Sequence, residues 1–303
     1  MEITQELLLR APAKINVFLH VTGQRMDGYH DLQSVFRAIN LFDEIQMRTR
    51  VKDHDIKLEC NEDLGPIDQN LVYRAARAMQ ARANRPVGVD IDLLKSIPVG
   101  AGLGGGSSDA AATLVGLNHV WQLGMSSNEL REVGSGLGAD VPFFVEGGDA
   151  WVTGVGDELT PCGLEEHWYL LVYPCISIPT QRIFSDPDLT RDSQPSTIAR
   201  FLAEPSSDFW HNDLEPVARR LYPEVNAVKK WLSREGAAKM SGSGSTVFLQ
   251  LANEAQGREL LEGLPRQWKG FVVQAGRVPS LQDQLREALS STEIVKRNRP
   301  SGW

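Results

Sequence analysis

One short segment carries more backbone chemistry than any other. It reads Pro98-Val99-Gly100-Ala101-Gly102-Leu103-Gly104-Gly105-Gly106-Ser107-Ser108 and joins a predicted strand to a predicted helix. Glycine clusters where a chain turns sharply or approaches a ligand closely, and 14 of the 27 glycines fall between positions 100 and 156. Successive N–H groups at a helix start, with the positive end of the helix dipole, suit an anion such as phosphate. The two serines add donors. The plain alternative is a flexible turn before a capped helix. Against it, consecutive glycines each cost about 0.5–1 kcal/mol of chain entropy.

The loop is not a Walker A sequence, because no Lys-Ser/Thr follows the glycines. Gly100, Gly102 and Gly105 do fit G-x-G-x-x-G. A dinucleotide fold would need a second strand ending in an acid about 20 residues on. Residues 120–129 read instead as a helix end and a capping box, and alternating strands precede the loop. A nicotinamide-dependent dehydrogenase is therefore disfavoured.

A second group of polar residues lies near the N-terminus. In residues 15–21 the odd positions are aliphatic, the period of a half-buried strand. Lys14, Asn16 and His20 then share the opposite face. On that face Lys14 and Asn16 could address one ligand; an exposed strand lysine is the plain alternative for Lys14.

The elements around these residues follow from periodicity. Strands are expected at 45–51, 56–60 and 87–93, with a helix at 70–83. Ser107 or Ser108 is expected to cap a helix that begins Ala110-Ala111-Ala112. Ser126 and Glu129 form a capping box, and that helix should stop near Gly134 or Gly136. The apolar run 141–145 reads as a strand. Beyond about residue 160 the order is a strand at 168–173, helices at 179–184, 196–203 and 214–234, and strands at 237–240 and 246–251. A helix at 254–264 and a strand at 270–275 complete a split βαβ arrangement. A domain boundary is placed in 155–166, giving domains 1–160 and 161–288 and a polar, mobile tail at 289–303.

The chain has 303 residues, 42% hydrophobic and 23% charged, as in ordinary globular proteins. Its net charge of −8 argues against nucleic-acid binding; a local pocket can still oppose the global sign. Cys60, Cys162 and Cys175 are odd in number and form no C-x-x-C, so a reducing, cytoplasmic compartment is expected. No signal peptide or membrane span is read. The six histidines show no zinc-ligand spacing, and nothing calls for an obligate protein partner.

The glycine segment, as P-x-x-x-G-L-G-G-G-S-S, resembles the second motif of the GHMP kinases. Ala11-Pro12-Ala13-Lys14-Ile15-Asn16 resembles their first motif, and Met240-Ser241-Gly242-Ser243-Gly244-Ser245 their third. Order and spacing match over about residues 8–280. The segments 22–30, 138–144 and 177–180 narrow the resemblance to members that phosphorylate a cytidine-diphosphate-linked polyol of isoprenoid precursor synthesis.

The resemblance implies an α+β, two-domain α/β GHMP kinase fold, with an S5-like N-terminal domain and a ferredoxin-like C-terminal domain. It implies ATP, its phosphates on residues 98–108, and Mg²⁺ bound mainly through those phosphates. Asp140 would accept the proton of the attacking hydroxyl; otherwise it is a turn or capping aspartate. Lys14 would pair with Asp140 and polarise the hydroxyl, and Asn16 would orient the substrate. Tyr29 and His30 match the positions that hold the cytosine ring. Phe184 would form the opposite wall, or else belong to the core, and Thr180 would hydrogen-bond the substrate. Lys95 would lie near the nucleotide, or be a solvated strand-end lysine. Asp109 would assist Mg²⁺, or only cap its helix. The turn at Gly242-Ser243-Gly244 would close the phosphate site.

Overall fold

The computed structural model describes residues 3–51, 54–205 and 207–297. Two 22-residue strands, β1 (Ile3–Gln24) and β2 (His30–Val51), pair antiparallel as one long hairpin. They are followed by β3 (Ile56–Cys60), α1 (Leu71–Gln80), β4 (Val87–Leu94), α2 (Gly105–Val120), α3 (Ser127–Ser135), α4 (Val141–Glu146), β5 (Asp149–Thr153) and β6 (Glu158–Pro161). The second half holds β7 (His167–Tyr173), α5 (Thr180–Phe184), α6 (Ile198–Ala203), α7 (Glu215–Leu221), α8 (Pro223–Leu232), β8 (Lys239–Met240), β9 (Val247–Leu251), α9 (Glu254–Glu262), β10 (Lys269–Ala275) and α10 (Leu281–Arg297).

The sheet runs β3-β4-β2-β10-β7-β9-β8, with β1 on β2 and with β5 on both β2 and β6. Within the second half the order β10-β7-β9-β8, all antiparallel, is that of a ferredoxin-like sheet. A pairing of Ala275 with Ile39 joins it to the first half. The β1–β2 hairpin is the shared spine. Leu9 and Met47 pack under α1 and α2, Ala13 and Ile15 lie at the junction, and Leu19 and Val21 enter the second core.

A register shift between Asn16 and Leu19 breaks the strict alternation of β1. Lys14 and Asn16 therefore stay together while His20 leaves them. Its ring packs against Phe209 and Trp210, and Nε2 meets the Phe209 carbonyl at 2.9 Å. Nor is the polar face open: Lys14, Asn16 and His20 are all buried.

Several expectations hold. The helix expected at 70–83 forms as α1, and the Ser126–Glu129 capping box opens α3. Others are corrected. α2 starts at Gly105, entered through Gly104 at φ 73°, so Ser107 and Ser108 sit in its first turn rather than capping it. Residues 141–145 are helical, not a strand. A five-residue apolar run has no period to decide between them, and Pro142 in the first turn favours a helix start. The expected helix 214–234 is two, broken at Pro223. The hairpin β5–β6 was not foreseen.

α10 was also missed, and it occupies 281–297, which includes most of the expected mobile tail. Ser280 and Asp283 box its N-terminus, and Leu281 and Leu285 pack into the first core. Residues 298–303 lie outside the described residues.

α2 lies close on the hairpin because Gly116 has no side chain. A Cβ there would stand 2.8 Å from Met47 Sδ and 3.3 Å from Leu9 Cδ1. Gly116→Val is expected to cost about 1–3 kcal/mol by overpacking, seen as a lower urea midpoint. Adding Met47→Ala should recover part of that loss.

Candidate active site

A cleft of about 1000 Å³ opens where the two halves meet, and the glycine loop forms its floor. Every carbonyl of residues 100–104 is tied back. Gly100 accepts from the Ile178 amide at 3.4 Å and Ala101 from Thr246 at 3.1 Å. Gly102 accepts from the Ser241 hydroxyl at 2.9 Å, Leu103 from the Lys14 amide at 2.9 Å and Gly104 from Ser108 at 2.9 Å. Among the described residues, none of the amides of 100–104 donates a hydrogen bond. The first-turn amides of α2 add to this set, having no carbonyl one turn back to reach. The cleft floor is a row of backbone donors at a helix N-terminus, the arrangement an anion requires.

Glycine is needed for that backbone. Gly102 has φ 76°, and a Cβ on it would lie 2.2 Å from the Ser241 carbonyl oxygen. A Cβ on Gly104 would press on Phe144 Cζ at 2.9 Å and Lys14 Cγ at 3.1 Å.

Beside the loop, Lys14 Nζ stands 3.3 Å from Asp140 Oδ2 and donates to Asn16 Oδ1 at 2.6 Å. It also lies 4.3 Å from the centroid of the Phe36 ring. Asn16 Nδ2 donates to Ser34 Oγ at 2.9 Å, which in turn donates to the Phe18 carbonyl. The Asn16 amide donates to Ser241 Oγ at 3.2 Å. Asp140 precedes α4 but its side chain makes no capping hydrogen bond. With 29% of that side chain exposed and lining the cleft, it is not a capping aspartate. The lysine is held from two sides and the carboxylate stays open to a ligand.

Tyr29, His30, Thr180 and Phe184 line the same cleft. The His30 and Phe184 rings sit with centroids 5.1 Å apart. Phe184 also rests on the second core, so it is both packed and cleft-facing. Tyr29 is 65% exposed, its amide bonded to Asp27 Oδ1 in the hairpin turn. Thr180 Oγ1 and Ser243 Oγ are 2.8 Å apart, which brings the turn after Met240 to the cleft, with Gly242 facing Gly102.

Lys95 stands at the start of the loop. It borders the cleft but is buried, its ammonium bonded to Asp43 and, at 2.6 Å, to Asp109. Asp43 Oδ1 also accepts from the Ser96 and Ile97 amides at 2.6 and 2.8 Å. Lys95 is thus not a solvated strand-end lysine; it lies beside the loop at Gly105, with its ammonium paired to two carboxylates. Pro98, Val99 and Ser107 line the cleft, whereas Ser108 is fully buried, its hydroxyl without a partner.

Sequence reading missed Ser34, Asp43, Arg191 and Asn212. Asn212 Nδ2 donates to the Met240 and Gly242 carbonyls, both at 2.8 Å, and so holds the turn that faces the loop. Each makes at least one contact 16 or more positions away along the chain, and no local pattern marks those contacts.

Residues 70–148 match the family described as GHMP kinases N terminal domain, and residues 199–270 match GHMP kinases C terminal. A protein of Cupriavidus necator named 4-diphosphocytidyl-2-C-methyl-D-erythritol kinase is 46% identical over 268 residues, 88% of this chain and 91% of that one. The chain belongs to the GHMP kinases. A relative of the same name from Halorhodospira halophila is 46% identical over 283 residues, 92% of this chain and 96% of its own. A crystal structure of 4-(cytidine 5'-diphospho)-2C-methyl-D-erythritol kinase superposes with a TM-score of 0.77 at 32% identity, covering 90% of this chain and all of that one.

In this GHMP kinase one buried lysine faces two carboxylates. Burial is the largest cause pushing the Asp109 carboxyl up to about 8; Asp43 adds to it and Lys95 opposes it. The folded chain thus keeps a proton that the unfolded chain has released. This part of folding stability is full below the ordinary carboxylate range and is lost as pH rises towards 8. The melting temperature of the protein should fall from about pH 5 to 8 more steeply than that of Asp109→Asn. Parallel curves in a thermal-unfolding series would remove Asp109 as the cause.

Proposed function

We infer that this GHMP kinase transfers the γ-phosphoryl group of ATP to the 2-hydroxyl of 4-diphosphocytidyl-2-C-methyl-D-erythritol, a step in the non-mevalonate synthesis of isoprenoid precursors. The names of its relatives support the acceptor, and the free amides of residues 100–104 carry the donor side. In this reading the ATP phosphates lie along residues 98–107. Leu103 and Gly104 touch Lys14, which supports a phosphate end beside the Lys14–Asp140 pair.

Asp140 then accepts the proton of the 2-hydroxyl as its oxygen bonds to the γ-phosphorus and the bond to ADP breaks. Lys14 balances charge on the carboxylate and on the transferring group, and does so largely out of water. Asn16, locked by Ser34 and Ser241, orients the acceptor. Tyr29, His30 and Phe184 hold the cytosine ring at the far end of the cleft, an aromatic face suiting a base, and Thr180 bonds the substrate between the two ends. Each end binds one half of the reaction and the chain closes them into one cleft.

Mg²⁺ accompanies ATP in this reading. Among the described residues no three His, Cys, Asp or Glu side chains gather as a cage. That suits an ion that keeps its waters and binds mainly through phosphates. Asp109 Oδ1, buried without a partner at the cleft edge, is a protein oxygen that would hold it once the carboxyl gives up its proton. Bound there, the ion would supply charge neutralisation on the phosphates.

The test is ADP release with ATP, Mg²⁺ and the cytidylated compound against free methylerythritol. Turnover is expected only with the former. Asp140→Asn should lose about 10²–10⁴-fold in kcat while nucleotide binding, followed by calorimetry, is unchanged. A variant close to wild type in kcat would show that another group accepts the proton.

A further inference from the structure

Arg191 reaches both walls of the proposed base pocket at once. It lies in the segment after α5, and four of its N–H groups have partners. Nη1 donates to the Leu189 carbonyl at 3.0 Å, and Nη2 to the Phe184 and Asp186 carbonyls at 3.0 and 2.8 Å. Those three carbonyls lie at or beyond the C-terminal end of α5, where a cation is favoured. They fix the planar fork, and Nε is left aimed at His30 Nε2, 3.1 Å away.

That contact dictates the state of His30. A guanidinium has donors only and stays charged in proteins. Its partner nitrogen must offer a lone pair, so Nε2 cannot carry a proton. An imidazolium has two N–H groups and no lone pair, so the ring is neutral and its proton sits on Nδ1. Burial first, and the adjacent guanidinium second, hold the His30 pKa below its usual value. Nδ1 has no protein partner among the described residues, and His30 lines the cleft. The free nitrogen of the ring is thus a donor. On the pairing edge cytosine carries N3 as an acceptor, where uracil carries an N–H.

We propose that Arg191 is a positioning residue for base selection, locking His30 as an Nδ1–H donor matched to cytosine and anchoring Phe184 beside it. This rests on the reading that a cytidine nucleotide fills this end of the cleft.

The test uses the full chain with Arg191→Gln and Arg191→Lys. Neither variant can span three carbonyls and a histidine with a fixed fork. The KM for the cytidylated substrate should rise about tenfold or more, with kcat and the KM for ATP within about twofold of wild type. The preference for the cytidylated substrate over its uridylated analogue should shrink. An unmoved KM, an unmoved preference, or a joint fall in kcat and ATP affinity would overturn the proposal; the last would mean that Arg191 only holds the fold.

Nitrogen NMR of histidine-labelled protein reads the tautomer without any substrate. His30 should show the proton on Nδ1 in the wild type and should lose that fixed state in Arg191→Gln. A proton on Nε2 in the wild type, or a state unchanged in the variant, would overturn it. If the wild type fails to turn over the cytidylated compound, the reading of the function fails, and the NMR result still decides what Arg191 does.

Discussion

A loop can present its amides to a ligand only if its carbonyls are satisfied elsewhere, because buried backbone groups must be paired. Residues 100–104 meet that constraint with donors from separate parts of the chain. Lys14 comes from β1, Ile178 from the start of the α5 region, and Ser241 and Thr246 from the turn between β8 and β9. Three of the five carbonyls depend on residues beyond 170. The cradle therefore forms only when the second half is docked, and domain packing and assembly of the phosphate end are one event. Lys14 couples this to the chemistry, since its amide holds Leu103 while its ammonium faces Asp140.

The same loop is anchored at its two ends by a single cation. Asp43 holds the amides of Ser96 and Ile97, just before the loop, and Asp109 stands in α2, just after it; Lys95 bonds both. Burying such a group gains little net stability, but removing Lys95 or Asp43 leaves an uncompensated charge costing about 3–5 kcal/mol. The arrangement is better understood as fixing the loop's span than as adding stability. It also explains why a lysine so close to the phosphate floor does not reach into it.

What was legible in the sequence follows the range of the forces involved. Backbone chemistry is local: Gly100, Gly102 and Gly104 announce their positive φ in their own identity, and Ser126 with Glu129 announces a cap. The strand holding Lys14 and Asn16 was visible from its period, but the register shift that takes His20 away is set by pairing with β2. Lys95 could be placed beside the loop, while its two carboxylates, 52 and 14 positions away, could not be seen. The run at 141–145 carries no periodicity, so only its packing could decide that it is a helix. α10 had a readable start in Ser280 and Asp283, hidden by the polar residues that follow. The motif resemblance supplied roles for Asp140, Tyr29 and Phe184 that their local patterns alone left open.

The two ends of the cleft obey different physics. The phosphate end is main chain, closed by glycine geometry and carbonyl partners, so few side-chain changes can retune it without undoing the fold. The far end is side chain: an exposed Tyr29, a ring pair of His30 and Phe184, and one guanidinium that orders them. In the proposed reading the choice of base rests on a single proton, set by a residue 161 positions away. Retaining the first end while altering the second would give a kinase of the same reaction and a different acceptor. This is the division expected when one fold serves several alcohols, because the chemistry at Lys14 and Asp140 depends on the hydroxyl and not on what is attached to it.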